Sequence, residues 1–236
     1  MRIFRTLAPI VLACLPSLAH AADAYYFFGD SLTAEGTFQS APIMWPSVLQ
    51  ADTSVFQGAD FAVSGSTTAA YLAQVNSFLT SGDKVTSNTV AAIWIETNNI
   101  TIGSAQNQPA QLIVQNALSN IVTGIQELVS TGVKNFIVLG VYDLSLTNAL
   151  GTNVPARTEA AVAAQLLNGQ LATLKVQGAN IQYFDIAAFI NQMQMHPQQY
   201  GFLQIMPLAV GATATRCVSR PRFMPIRFIF RPRRRH

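Results

Sequence analysis

From residue 22 onward the chain alternates short apolar runs of strand length with longer runs whose apolar residues recur every three or four positions. The alternation matters because parallel strands need long crossovers, and a helix is the usual one. It predicts strands over 24–28, 60–63, 89–95, 135–141 and 181–184, and helices over 42–49, 68–79, 110–130, 155–176 and 186–193. The 110–130 run is the clearest helix, with Leu112, Ile113, Leu118, Ile121, Val122, Ile125, Leu128 and Val129 on one stripe and Gly132 behind it. Pro155 suits the first turn of the helix that it opens. The 135–141 run is apolar without alternation, as expected of a strand covered on both faces. With 236 residues and no internal repeat, the chain should form a single doubly wound α/β domain, its mainly parallel sheet carrying helices on both faces.

Composition narrows the function classes. Charged residues make up 11% and apolar residues 50%, which excludes a wholly disordered chain. Cys14 and Cys217 are too few for a disulfide scaffold, and no Cys/His spacing suggests a zinc site. The net charge of +3 conceals a segregation. Residues 22–215 hold Lys84, Lys134, Arg157 and Lys175 against all eleven acids, a net −7, whereas 216–236 hold eight Arg and no acid. An acidic, sparsely charged body is not a nucleic-acid-binding domain. At the other end, Arg2 and Arg5 precede an apolar run over 7–18 and then Ala19-His20-Ala21. That order predicts a cleaved secretory signal over residues 1–21, and a secreted or periplasmic protein. The run is too short to span a bilayer, and Leu12-Ala13 before Cys14 fits lipoprotein processing poorly. Cleavage leaves Cys217 alone, with no internal disulfide.

Three polar clusters fall where a parallel sheet presents its chemistry, at the carboxyl ends of strands. They are Gly29-Asp30-Ser31, Ser64-Gly65-Ser66 and Asn98-Asn99. A Ser in such a turn stands at the sheet edge as a nucleophile. A Gly lets a backbone N–H approach a substrate oxygen, and an Asn amide offers a second neutral donor to it. Together these are the parts of acyl transfer.

The same residues resemble the GDSL (SGNH) esterases and lipases. Phe27-Phe28-Gly29-Asp30-Ser31-Leu32 is similar to the first family block, which implies Ser31 as the nucleophile. Phe61-Ala62-Val63-Ser64-Gly65-Ser66-Thr67 resembles the second, which implies an oxyanion role for the Gly65 N–H. Ile93-Trp94-Ile95-Glu96-Thr97-Asn98-Asn99-Ile100 resembles the third, with Asn98 as the side-chain oxyanion donor. Val141-Tyr142-Asp143-Leu144 and Pro197-Gln198-Gln199-Tyr200-Gly201-Phe202 resemble later segments, so the likeness covers about 24–202. It implies an SGNH/flavodoxin-like fold and a secreted serine ester hydrolase. The substrate would be a small-molecule or lipid ester, with short-to-medium acyl chains favoured by the apolar body, and neither a metal nor an organic cofactor would be needed.

The chain departs from the family pattern at identifiable positions. Glu96 and Thr97 stand where small residues are usual, Asn99 where Asp is usual, and Ala34 where an acid is common. A carboxylate at 96 opposes an oxyanion unless it points away. The last family block, Asp-x-x-His, whose His is the base for the serine, has no match. Beyond the signal, His196 and His236 are the histidines, and neither has the required context. After Phe202 the chain carries eight Arg and no acid. The change predicts a slip of reading frame near residue 203, since GC-rich coding DNA read out of frame yields Arg and Pro. The rival is a genuine basic tail over 203–236 that touches anionic membrane or polyanions weakly. Two alternatives to the esterase follow: a catalytically impaired family member truncated before its His/Asp, and a membrane binder acting through that tail. Asp30, Asp143 and Asp185 suit structural or capping roles, and Trp45 and Trp94 suit core or pocket lining.

Overall fold

The computed structural model describes residues 22–34, 44–47, 49, 58–144, 147 and 149–200. The segments expected to form a signal (1–21) and a tail (203–236) lie outside the described residues, as does part of the 42–49 helix, of which 45–47 and 49 are helical. The strands are β1 (Ala24–Gly29), β2 (Gly58–Asp60), β3 (Thr89–Trp94), β4 (Asn135–Leu139) and β5 (Asn180–Phe184). The helices are α1 (Thr68–Ser81), α2 (Thr97–Ala105), α3 (Ala110–Ser130), α4 (Val154–Ala172) and α5 (Ile186–Met195), followed by a 3₁₀ turn, Pro197–Tyr200.

All five strands are parallel, in the order β2-β1-β3-β4-β5. The chain adds β2 on one side of β1 and then crosses to add β3 on the other, so the order reverses at β1. Ligands of such sheets bind at that reversal, outside the strands' carboxyl ends. The β1 sequence Ala-Tyr-Tyr-Phe-Phe-Gly is buried throughout, because the strand lies in the middle with both faces covered. Tyr26 and Phe28 join the core beneath α1 to α4, with Phe28 edge-on to Tyr71 and Phe78. Tyr25 and Phe27 face the other side, with Val90, Ala92, Ile137, Leu49 and the first residues of α5. Burying each such ring contributes about 2–3 kcal/mol, so the aromatic density of β1 anchors the strand on which the site depends.

The helix expected over 155–176 is Val154–Ala172, and two further differences bear on the site. The strand expected over 60–63 lies at Gly58–Asp60. Phe61 and Val63 still donate to the carbonyls of Phe27 and Gly29 (2.8 and 3.1 Å), but Asp60 Oδ1 turns the chain by accepting from Ala62 N–H (2.9 Å). The cluster Thr97-Asn98-Asn99, read as the polar end of β3, is the first turn of α2. Ile100, Gly103 and Ser104 of that helix are buried, so packing makes a helix of a segment rich in β-branched residues.

Candidate active site

The carboxyl edge of β1 is built from backbone outward. Gly29 lies against β3 so closely that a Cβ there would sit 2.5 Å from the Trp94 carbonyl oxygen and 2.6 Å from Thr33 Oγ1, which only glycine avoids. The next residue, Asp30, donates its N–H to that carbonyl (3.3 Å), which extends the β1–β3 pairing by one rung. Its side chain is buried and folds forward, Oδ1 accepting from Leu32 N–H (2.8 Å), so Ser31 sits at the crest of an Asx turn. Thr33 and Ala34 N–H both donate to the Asp30 carbonyl (3.0 and 2.9 Å), and Ser31 keeps partial access to solvent.

The second loop is held to the first by a residue outside the three motifs. Gln74, on the buried face of α1, accepts from Gly29 N–H (3.0 Å) and donates to Gly29 C=O (2.8 Å) and to Ser66 Oγ (3.1 Å). Its amide thus pairs with the end of β1 as a neighbouring strand would, and anchors the Ser64-Gly65-Ser66 loop there. The signal was a polar residue on the helical stripe Tyr71, Gln74, Val75, Phe78, where an apolar one belongs. Gly65 is exposed and left-handed (φ 81°), which suits glycine, and nothing lies within 4 Å of where its Cβ would be.

Asn98 comes from the first turn of α2 and closes the group. Its Nδ2 donates to the Ser66 carbonyl (2.8 Å) and, over 3.4 Å, to Asp30 Oδ2. Both amide hydrogens are directed at protein acceptors, and the bond to Asp30 is the long, weak one. The adjoining Asn99 accepts from Thr68 N–H (2.8 Å), and Asn120 Nδ2 donates to Thr68 Oγ1 (3.1 Å), so α1, α2 and α3 are fixed to one another behind the site. The structure therefore brings together the turn of Ser31, the loop of Gly65 and the amide of Asn98.

The electrostatics of this edge are unusual. Asp30 and Glu96 are both buried. Loss of hydration pushes Asp30 up to about 6 despite the bond from Leu32. Glu96 is pushed up to about 8, chiefly by burial and further by Asp30, while backbone N–H groups hold it down. Burial thus disfavours ionisation of both carboxyls, and of Glu96 more than of Asp30. Tyr142, just past β4, is raised to about 12 by burial and by Asp30.

The other candidates have different roles. Asp185 caps α5, Oδ1 accepting from Ala188 N–H (2.8 Å), and Asp143 is exposed. His196 is exposed at the far end of α5, ten helical residues from the sheet edge where that helix begins. Trp45 packs edge-on against Phe27 and donates Nε1 to Thr33 Oγ1 (3.3 Å), which braces the turn from the second face. Among the described residues no group of three or more His, Cys, Asp or Glu could hold a metal ion, and no helix is long and apolar enough to cross a membrane.

Solved structures share this fold. A lipolytic protein of the G-D-S-L family from Veillonella parvula is 13% identical, with 77% of this chain and 84% of that one covered and a TM-score of 0.51. A variant of Axe2, an acetyl-xylooligosaccharide esterase from Geobacillus, is 15% identical over 75% of this chain and 81% of that one, with a TM-score of 0.52. A comparison with curated proteins finds no significant match. The profile of the GDSL-like lipase/acylhydrolase family matches residues 25–211. With its five-stranded parallel sheet and the three blocks gathered at one edge, the chain belongs to the GDSL-like lipase/acylhydrolase family of ester hydrolases.

Proposed function

We propose that this chain is built to hydrolyse carboxylic esters through Ser31. The single observation behind this reading is the meeting of Ser31, Gly65 and Asn98 at the reversal point of the sheet, joined through Asp30, Ser66 and Gln74. Ser31 Oγ gives up its proton to a base in solution and adds to the ester carbonyl, while the N–H groups of Ser31 and Gly65 receive the oxygen as it becomes negative. The bond to the alcohol then breaks, the alcohol leaves with a proton, and water releases the acid from Ser31. Asn98 supplies the third donor by turning the hydrogen held over 3.4 Å by Asp30 toward the substrate, while the shorter bond to Ser66 keeps the amide in place. Lipid or short-to-medium acyl esters suit an apolar, sparsely charged body. The reading includes a signal over 1–21 with export of the rest, a hydrolase domain over 22–202, and a frame slip behind the Arg-rich tail 203–236.

The base is the weak point of the chemistry. No Asp-x-x-His follows in the sequence, and a serine without an imidazole loses about 10⁴-fold or more in rate. The test is turnover of a chromogenic short-chain ester by the chain and by Ser31→Ala, with and without added imidazole. A Ser31-dependent rate that imidazole enhances supports the reading. Equal rates in both proteins, imidazole present, would overturn it. Resequencing the gene from codon 195 past the stop decides the tail: an Asp-x-x-His block in another frame supports the slip, and an unchanged sequence removes it.

A further inference from the structure

We propose that Glu96 is a positioning residue for the Asn98 amide, acting as an uncharged acid within the corner between β3 and α2. Its role rests on the ester-hydrolase reading only for the name of the reaction, because the geometry stands without it. Glu96 is the residue that precedes the first turn of α2, and its carbonyl accepts from Ile100 N–H (3.3 Å). Its side chain does not cap that turn. It folds back instead, Oε2 accepting from Ile95 N–H (3.1 Å), and so fixes the angle at which the chain leaves the sheet for the helix that carries Asn98 and Asn99. The side chain is fully buried, and Oε1 has no hydrogen-bond partner in the protein.

Such a site tolerates a carboxylic acid far better than a carboxylate. The groups acting around it come from several elements. Asp30 at the end of β1 is the charge that acts on Glu96. Tyr71 of α1 and Tyr183 of β5 are both held protonated, by burial first and with Glu96 contributing; Glu127 of α3 adds to the first and Asp185 to the second. The hydroxyls of Tyr71 and Tyr183 are themselves buried without a protein partner. None of these neighbours is a cation, so among the described residues an ionised Glu96 has backbone N–H groups as its counterweight and no opposite charge. Ionisation would place a second negative charge behind Asp30, within the region where the substrate oxygen acquires its own, and would strain the corner that aims Asn98.

The experiment compares the full chain with Glu96→Gln, which keeps the shape and the acceptor oxygen but cannot ionise. Ester turnover is followed from about pH 6 to pH 10, a range that spans the value of about 8 to which burial pushes Glu96. Each measured against its own rate at pH 6, the chain should lose about tenfold across the alkaline limb and the variant should not. Superimposable limbs overturn the proposal. A readout without turnover separates it from failure of the esterase reading. The Asn98 side-chain amide resonances, assigned by their loss in Asn98→Asp, should shift between pH 7 and pH 9 in the chain and stay fixed in Glu96→Gln. Thermal midpoints give the proton itself. Glu96 is raised in the folded state, so its stabilising effect is whole below about pH 4.5 and is lost as pH rises through about 8. The variant should therefore gain on the chain between those values. Amide shifts and midpoints that move alike in both proteins overturn the proposal, whether or not either hydrolyses an ester.

Discussion

Gly29 and Gly65 belong to two of the three blocks that carry the resemblance, yet they are glycine for different reasons. At Gly29 the obstacle is space: a methyl group would meet the Trp94 carbonyl oxygen, which is backbone and cannot step aside. Gly29→Ala should cost about 2–4 kcal/mol, read as a lower midpoint in urea, because the β1–β3 contact must open. At Gly65 there is room, and the cost is the left-handed backbone, so Gly65→Ala should cost about 1–2 kcal/mol by the same measurement. The order of the two midpoints is the check; a Gly65→Ala protein less stable than Gly29→Ala would contradict the packing at the sheet edge. A sequence shows both as glycine in a motif and cannot tell contact from conformation. Glu96 illustrates the same limit. Its identity is visible as a departure from the family pattern, but whether it faces the oxyanion site or the interior depends on the turn at Ile95.

Elements were legible where one physical signal dominated. Helix α3 spans the 110–130 predicted from its apolar stripe; Ile113, Ile121, Ile125 and Leu128 of that stripe are buried, whereas Leu112 is exposed and small residues such as Ala117 and Gly124 complete the buried side. Strands β1, β3, β4 and β5 follow their apolar runs to within two residues. Helix α2 was not legible: Thr97-Asn98-Asn99-Ile100-Thr101 favours turns and strands locally, and the tertiary burial of Ile100 and Gly103 decides otherwise. Gln74 shows how an element can serve another. It carries the hydrogen bonds of β1 into α1, and Asn168 repeats the device at the end of β4, its amide bonding both Val141 N–H and C=O (2.8 and 2.7 Å). In Gln74→Leu, Gly29 C=O retains Val63 N–H, but Gly29 N–H is left buried without a partner. The loss should be about 1–3 kcal/mol. Amide exchange should quicken at Gly29 in that variant more than at Tyr26, and equal effects would show that the loss is global rather than local.

At the scale of the molecule, the sheet brings together residues that are far apart in the chain. Ser31 and Asn98 meet through the pairing of β1 with β3, in which Ala24 stands opposite Thr89 and Gly29 opposite Trp94. The family profile spans both and continues to residue 211, within the segment whose composition changes. The three blocks and their order were legible because each sits at a strand end, where polarity contrasts with the run before it. The contacts that unite them were not, since they come from Gln74, Asp30 and Ser66 across loops.

That central pairing also has a consequence in time. β1 leaves the ribosome first of the strands, but its partner on one side is β2 and on the other β3, each reached only after a long intervening stretch. Closing such non-local pairs is slow, and no local fragment can rehearse it. Until β3 arrives, the most aromatic strand of the chain is open along one edge and vulnerable to pairing with another molecule. Pulse-labelled exchange during refolding should find Tyr26 N–H of β1 and Ala92 N–H of β3, which face each other's strand, protected in the same kinetic phase. Early protection of Phe27 N–H, which faces β2, would mean that β1 folds on β2 first. A chain interrupted before Trp94 would then hold its nucleophile on an unfinished edge, and an interruption late in the chain would leave that edge intact.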